Sequence, residues 1–439
     1  MKVSKRHVRR SRSAIKASLV AGACAVTTIT GVVGTSVVGI GLVGTGVATA
    51  APTVNLQFWN AYNTTDKEAV TMQNVVLAQF EKENPGIKVT SVVVPYADLL
   101  QKYIAAAAAG DPPAVMRSDI IWVPELASQG ALLNLTKLPW FQPIKSDALP
   151  GPLSTNYYQG SYYGLPDDTN TQVLFWNKAD FAAAGLPGPP TTISQLWADA
   201  QKLTVKSKGQ YGLGVDGTDI WNVAPYIWSN GGSFTNPSYT NTTGYMNGPA
   251  TESTLQEMLD LQKAGDIGND FLGGSGSVSG ETGFPKGEYA MYIDGPWAVP
   301  TYRQEHFTDY GMALMPKGPG GSISTVGGED LVIANNVQHQ ADAVKLAQFL
   351  AGPFAQLQMA NQGDLATYKS DATAEVKAQP YLGIFVQQLA TAEARPVSPA
   401  YTKLDSDFLN ELQEAIAGKL PLDNAMNAAS SQSNGALNG

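Results

Sequence analysis

The sequence predicts an α/β protein of two lobes that follows a basic and apolar N-terminal segment. Strand-like runs alternate with stretches of helical period, and the order strand, helix, strand occurs in two separate parts of the chain. Roughly 390 residues follow the N-terminal segment, a length that the domain-size prior divides in two. With 44% hydrophobic and 15% charged residues, the chain has enough apolar material for two cores.

Val54 to Trp59 alternates and reads as a strand. Asp66 to Glu83 reads as an amphipathic helix with Val70, Val75, Val76, Leu77 and Phe80 on its buried face, stopped by Asn84-Pro85-Gly86. Ile87 to Val94 is the next strand, Asp98 to Ala109 the next helix, and Val115-Met116 opens a short buried strand. This order predicts a parallel sheet. In the second part, Gln172 to Trp176 and Tyr289 to Ile293 read as strands, and Lys178 to Ala184, Ile193 to Val205, Trp221 to Trp228 and Thr251 to Ala264 as helices. Asp330 to Ala334 is a further strand, and Ala341 to Leu350 and Asp405 to Ala417 are helices. Gly273 to Ser277 reads as a flexible loop, and the Ser, Asn and Gly tail from Ser430 as a frayed end.

Residues 1–16 hold seven cationic side chains and no acid, and residues 17–50 hold no charge. A basic stretch before an apolar one predicts an export signal, with Ala48-Thr49-Ala50 suited to cleavage after Ala50. A retained membrane anchor and a lipid anchor on Cys24 are the alternatives. All three place the protein outside the cell or on its surface. Beyond residue 50, 21 basic residues face 37 acidic ones, a net charge of −16. Such a surface argues against nucleic acid and anionic lipid as partners. Cys24 is the only cysteine, so no disulfide and no thiolate chemistry are expected in the mature part.

The sequence has no phosphate loop, no GxGxxG after a strand and no zinc-protease or nucleophile-elbow motif. His306 and His339 are isolated, so neither a histidine triad nor a metal site is expected. The doublets Asp167-Asp168 and Glu329-Asp330 would point to opposite faces of a strand, which suits no acid and nucleophile pair.

Several passages, in order, resemble the extracellular solute-binding protein family 1, the carbohydrate-binding partners of ABC importers. They are Phe80 to Val89, Gly110 to Met116 with Trp122 to Gly130, and Tyr163 to Pro166 with Trp176-Asn177-Lys178. Phe284 to Met291 with Gly295-Pro296-Trp297, and Ala341 to Gly352, complete them. Ala114 stands where the family often has Asp. The resemblance implies a type II periplasmic-binding-protein-like fold with ligand between two lobes joined by crossing segments. It implies lobe 1 at 51–168 and 326–372, and lobe 2 at 169–325 and 373–439. It further implies a sugar or small oligosaccharide as ligand, a membrane permease as partner, a monomer, no cofactor and no catalysis. An exported carbohydrate-active enzyme, or the same fold with a polyol phosphate or peptide, are the competing readings.

A sugar site needs aromatic faces for ring C–H surfaces, polar groups for hydroxyls, and closure against water. The stacking candidates are Trp297, from the Gly-x-Trp resemblance, Trp59 at the end of the first strand, and Trp228 before Asn230-Gly231-Gly232. The polar candidates begin with Asp119, a charge in an apolar stretch, and Asn170 on the crossing strand. Asn60, Glu329 after Gly327-Gly328, and Arg395 before Pro396 complete them.

Overall fold

The computed structural model describes residues 53–62, 67–273 and 278–438. The export signal, the cleavage point after Ala50, the Cys24 anchor and most of the Gly273 to Ser277 loop lie outside the described residues. No described helix is long and apolar enough to cross a membrane.

The strands, in chain order, are β1 (Val54–Asn60), β2 (Ile87–Val93), β3 (Val115–Asp119), β4 (Tyr157–Tyr158), β5 (Ser161–Tyr162) and β6 (Gly164–Asn170). They continue with β7 (Val173–Asn177), β8 (Met291–Asp294), β9 (Tyr310–Ala313), β10 (Thr325–Val332) and β11 (Glu393–Ala394). The first lobe is built on a six-stranded sheet in the order β11-β10-β3-β1-β2, with β6 on β10, and its edge strand β11 is lent by the segment expected in the second lobe. The second holds the sheet β8-β7-β9, while β4 and β5 form a small hairpin.

Strand alternation builds a core on each face of both sheets. In β3 and β10, Val115 and Leu331 face a core with Val76, Phe80 and Leu346, while their neighbours Met116 and Val332 face one with Leu99, Tyr103 and Trp122. In β7, Leu174 packs with Leu196, Ile227 and Phe408, while Val173 and Phe175 pack with Phe284, Tyr302 and Phe385.

The expected parallel order holds for β1 with β2 and β3. It fails at β10, which runs antiparallel to both β3 and β6. The reason is connectivity: β10 re-enters the first sheet from the second lobe and meets it from the opposite end. The two main crossings, β6 to β7 and β9 to β10, are laced together. Thr171 Oγ1 donates to the Thr325 carbonyl at 2.8 Å, and Ser324 Oγ to the Gln172 carbonyl at 2.8 Å.

Two local expectations are corrected. Val70 and Val75 are 53% and 40% exposed instead of buried. The helix from Lys67 to Glu83 widens to π-helical pairing over Met72–Leu77, and this rotates Met72 into the core in their place. The tail does not fray, since Leu422–Asn438 is a helix with Ala425, Ala429, Ser430 and Ser433 buried. Thr242 fastens it, donating its Oγ1 to the Ser430 carbonyl and its N–H to Asn434 Oδ1, both at 2.8 Å.

Candidate functional site

A cleft of about 510 Å³ lies between the lobes. This falls within the usual range for small-ligand sites. The six-stranded sheet and the turn after β1 supply Tyr62, Arg117, Asp119, Asp168, Asn170, Gly327 and Glu329, and Asp219, Trp221, Trp297 and Asp405 come from the ends of helices or from within them. Asp364 and Arg395 come from later connecting segments.

Arg117 is the anchor of the floor. Its Nε donates to Asp167 Oδ2 at 3.1 Å and its Nη2 to Asp168 Oδ2 at 2.8 Å, while Glu329 Oε2 stands 2.9 Å from Nη2 as an ion pair without a hydrogen bond. Its guanidinium lies 4.6 Å from the Tyr62 ring centroid. The strands β3, β6 and β10 are adjacent, so their cleft-facing side chains meet here. Burial pushes the Asp167 carboxyl up to about 7, with Arg117 opposing the rise. Burial also holds Glu329 well above the usual carboxylate range; Arg117 opposes this and Asp168 adds to it.

Arg395 is the second cation. Its Nη2 donates to Asp119 Oδ1 at 3.0 Å, and its guanidinium lies 5.1 Å from the Trp221 ring. Asp119 Oδ2 accepts from the Tyr96 hydroxyl at 2.7 Å. Arg395 Nε and Asn170 Oδ1 are buried without a hydrogen-bond partner among the described residues. Asn170 Oδ1 packs so tightly on Gly327 that a Cβ there would stand 2.1 Å away, so only glycine fits.

The indoles of Trp221 and Trp297 stand 6.4 Å apart, their planes inclined by 31°. Trp221 opens the helix Ile220–Ser229, capped by Asp219, whose Oδ1 accepts from the Asn222 N–H. Asp405 Oδ1 takes the Ile220 N–H at 2.8 Å. Burial first, and then the neighbouring Asp219, push Asp405 up to about 7.

Of the residues singled out in the sequence, Asp119, Asn170, Trp297, Glu329 and Arg395 are brought together in the cleft. Trp59, Asn60 and Trp228 are not. Trp59 donates its indole N–H to Gln57 at 2.8 Å and lines a separate groove with Asn55, Asp111 and His339. Asn60 is fully buried; its Nδ2 donates to Ser91 Oγ and its Oδ1 accepts from the Tyr62 N–H. It shapes the turn that delivers Tyr62, two residues on, to the cleft. Trp228 is 5% exposed in the second-lobe core, edge-on to Phe234. The helix points its N-terminus at the cleft, so Trp221 reaches it, whereas Trp228 sits two turns, roughly 10 Å, further down. Trp228→Phe is accordingly expected to leave ligand affinity within about twofold while lowering the unfolding midpoint. A larger affinity loss in calorimetry would return Trp228 to the site.

Arg117, Tyr62, Trp221, Asp219, Asp364 and Asp405 were missed by the sequence reading. Arg117 had a usable signal, being a charge inside a buried strand, the same signal that singled out Asp119.

Two α/β lobes joined by crossing strands, with a polar and aromatic cleft between them, define a two-lobe binding-protein fold. Residues 63–357 match the bacterial extracellular solute-binding protein family, and the chain belongs to that family. A binding protein of Brucella abortus is 27% identical over 371 residues, 82% of this chain and 88% of that protein. The sn-glycerol-3-phosphate-binding periplasmic protein UgpB of Pectobacterium atrosepticum is 25% identical over 338 residues, 70% and 71% of the two chains. Among solved structures, the GacH receptor of Streptomyces glaucescens, determined unliganded and with acarbose, superposes with a TM-score of 0.79. It shares 24% identity over 88% of this chain and 99% of that one.

Proposed function

We propose that this chain captures a saccharide of one to three rings outside the cell and delivers it to the permease of an ABC importer, without chemistry of its own. The observation that carries the proposal is the pairing of two indole faces, Trp221 and Trp297, with buried polar atoms awaiting partners, Asn170 Oδ1 and Arg395 Nε. A sugar ring presents C–H faces to the first and hydroxyls to the second. The acarbose complex of GacH, on the same fold, is consistent with this. A phosphate ligand of the kind named for UgpB fits less well, because each arginine is already engaged by carboxylates.

In this proposal lobe 1 comprises residues 51–168 and 326–372 and lobe 2 residues 169–325 and 373–439, closing as a monomer about the laced crossings. The N-terminal segment directs export, and it is either cleaved after Ala50, retained, or lipidated on Cys24.

The test is a panel of mono- to trisaccharides with sn-glycerol 3-phosphate alongside. A saccharide that binds should raise the unfolding midpoint and shrink the radius of gyration in small-angle scattering, since it touches both lobes. Binding of the phosphate alone would replace the reading. Consumption of a saccharide over hours would make the protein an enzyme.

A further inference from the structure

Trp221 is held by more than its own helix. It lies four residues before Pro225 within Ile220–Ser229. A proline has no N–H to donate, so the helix leaves the Trp221 carbonyl without its ordinary partner one turn on. The Gln172 amide meets that carbonyl instead. Its Nε2 donates to the Trp221 carbonyl at 3.2 Å, and its Oε1 accepts the Trp221 indole N–H at 3.1 Å. The carbonyl only accepts and the indole N–H only donates, which decides which end of the amide faces which. One side chain thus grips both the backbone and the ring of a residue that lines the cleft.

Gln172 is itself part of the lacing between the crossings. It stands between β6 and β7 and is 2% exposed. Its N–H donates to Ser324 Oγ at 3.3 Å, and its carbonyl accepts from the same hydroxyl at 2.8 Å. The Trp221 ring also rests on β10, the strand that follows Ser324: a Cβ on Gly327 would stand 2.7 Å from Trp221 Cη2. Glycine makes room for the ring there but gives it no side chain to lock against. The hydrogen bond at the indole nitrogen supplies the direction.

We propose that Gln172 is a positioning residue for ligand capture, holding the Trp221 indole in its setting at the cleft and tying that setting to the crossing. This rests on the saccharide reading above and adds to it the residue that presents one of its two indole faces. Gln172 is not among the residues lining the cleft, so it acts through Trp221. An indole released from its hydrogen bond samples other rotamers. Apparent affinity then falls with the fraction of molecules whose ring is set for the ligand. A glutamine that only satisfied a buried carbonyl would matter to stability alone.

The test has one arm without ligand and one with it. Proton–nitrogen NMR correlation reads the Trp221 indole N–H, assigned by its loss in Trp221→Phe. Gln172→Met keeps the length of the side chain and removes both bonds. The Trp221 signal is expected to shift and to exchange with solvent at least about tenfold faster, while the other indole signals stay in place. The tightest saccharide of the panel above is then titrated in a calorimeter. Gln172→Met is expected to weaken it about five- to twentyfold. In a Trp221→Phe background, which has no indole N–H to hold, the same change should cost less than about twofold. An unaltered Trp221 signal, full affinity in Gln172→Met, or equal losses in the two backgrounds overturns this inference and leaves the saccharide reading standing. If Gln172→Met does not fold, Gln172→Asn, shorter by one methylene, carries both arms with the same expectations. Failure of the unmodified protein to bind any saccharide of the panel overturns the reading itself and this inference with it, whatever the Trp221 signal does.

Discussion

Replacing Arg117 with alanine is expected to destabilise the folded chain by about 3–5 kcal/mol, the scale for removing one partner of a buried ion cluster. Asp167 and Asp168, both under a tenth exposed, and the partly shielded Glu329 would face one another without their shared cation. The loss should depend on pH in a definite direction. An acid whose folded pKa is raised binds its proton more tightly in the native than in the unfolded state. Its native state is therefore favoured at low pH and loses ground as pH rises from the ordinary carboxylate range through the folded value, about 7 for Asp167. Without Arg117 the upward shifts grow, so the penalty of the variant should be larger at pH 8 than at pH 5. Denaturant unfolding at the two pH values reads this directly. An equal loss at both would assign the effect to the stacking of Arg117 on Tyr62 instead of to charge.

Trp297→Ala is expected to weaken binding of the captured sugar by about 1.5–3 kcal/mol, on the scale of burying one large side chain. That is roughly ten- to 150-fold in affinity. Trp297 is only partly buried, and Trp221 alone would remain to cover the ring. Titration of the folded variant with the best ligand from the panel gives the number. A change under twofold would make Trp297 part of the second-lobe core and move the stacking surface to Trp221.

The fold was largely legible because its local signals are strong. Val54 to Asn60, the Ala-rich helix ending at Gly110, and the helix ending at Leu350 emerged within a few residues of their expected bounds. The cleft lining was legible where a residue contradicts its surroundings, as Asp119 does, or where the resemblance pointed to it, as for Asn170 on the crossing strand and Trp297 in Gly-x-Trp. It was illegible where position within an element decides. Trp221 and Trp228 share a helix, and only the direction in which that helix meets the cleft separates lining it from packing in the core. Val115-Met116 marks the opening of the short strand in the sequence but not its end, and its continuation through Arg117 to Asp119 makes the cleft floor. Asp364 and Asp405 come from segments with no periodic signal of their own function, and only tertiary folding carries them to the same cleft. The exposure of Val70 and Val75 depends on a widened helical turn that the hydrophobic pattern does not announce.

The lacing between the two crossings matters beyond connectivity. Thr171 and Ser324 each bond the other strand's backbone, so the pair acts like two leaf springs clamped together: stiff to sliding, compliant to bending. Under the proposed closure, bending here would set how often the empty protein visits the binding-competent shape, and apparent affinity scales with that fraction whatever the ligand. Under the proposed function, a lining residue such as Trp297 would act instead on which ligand is held. Tightness and selectivity therefore sit in different parts of the chain. A descendant of this protein can retune one through its springs while inheriting the other unchanged.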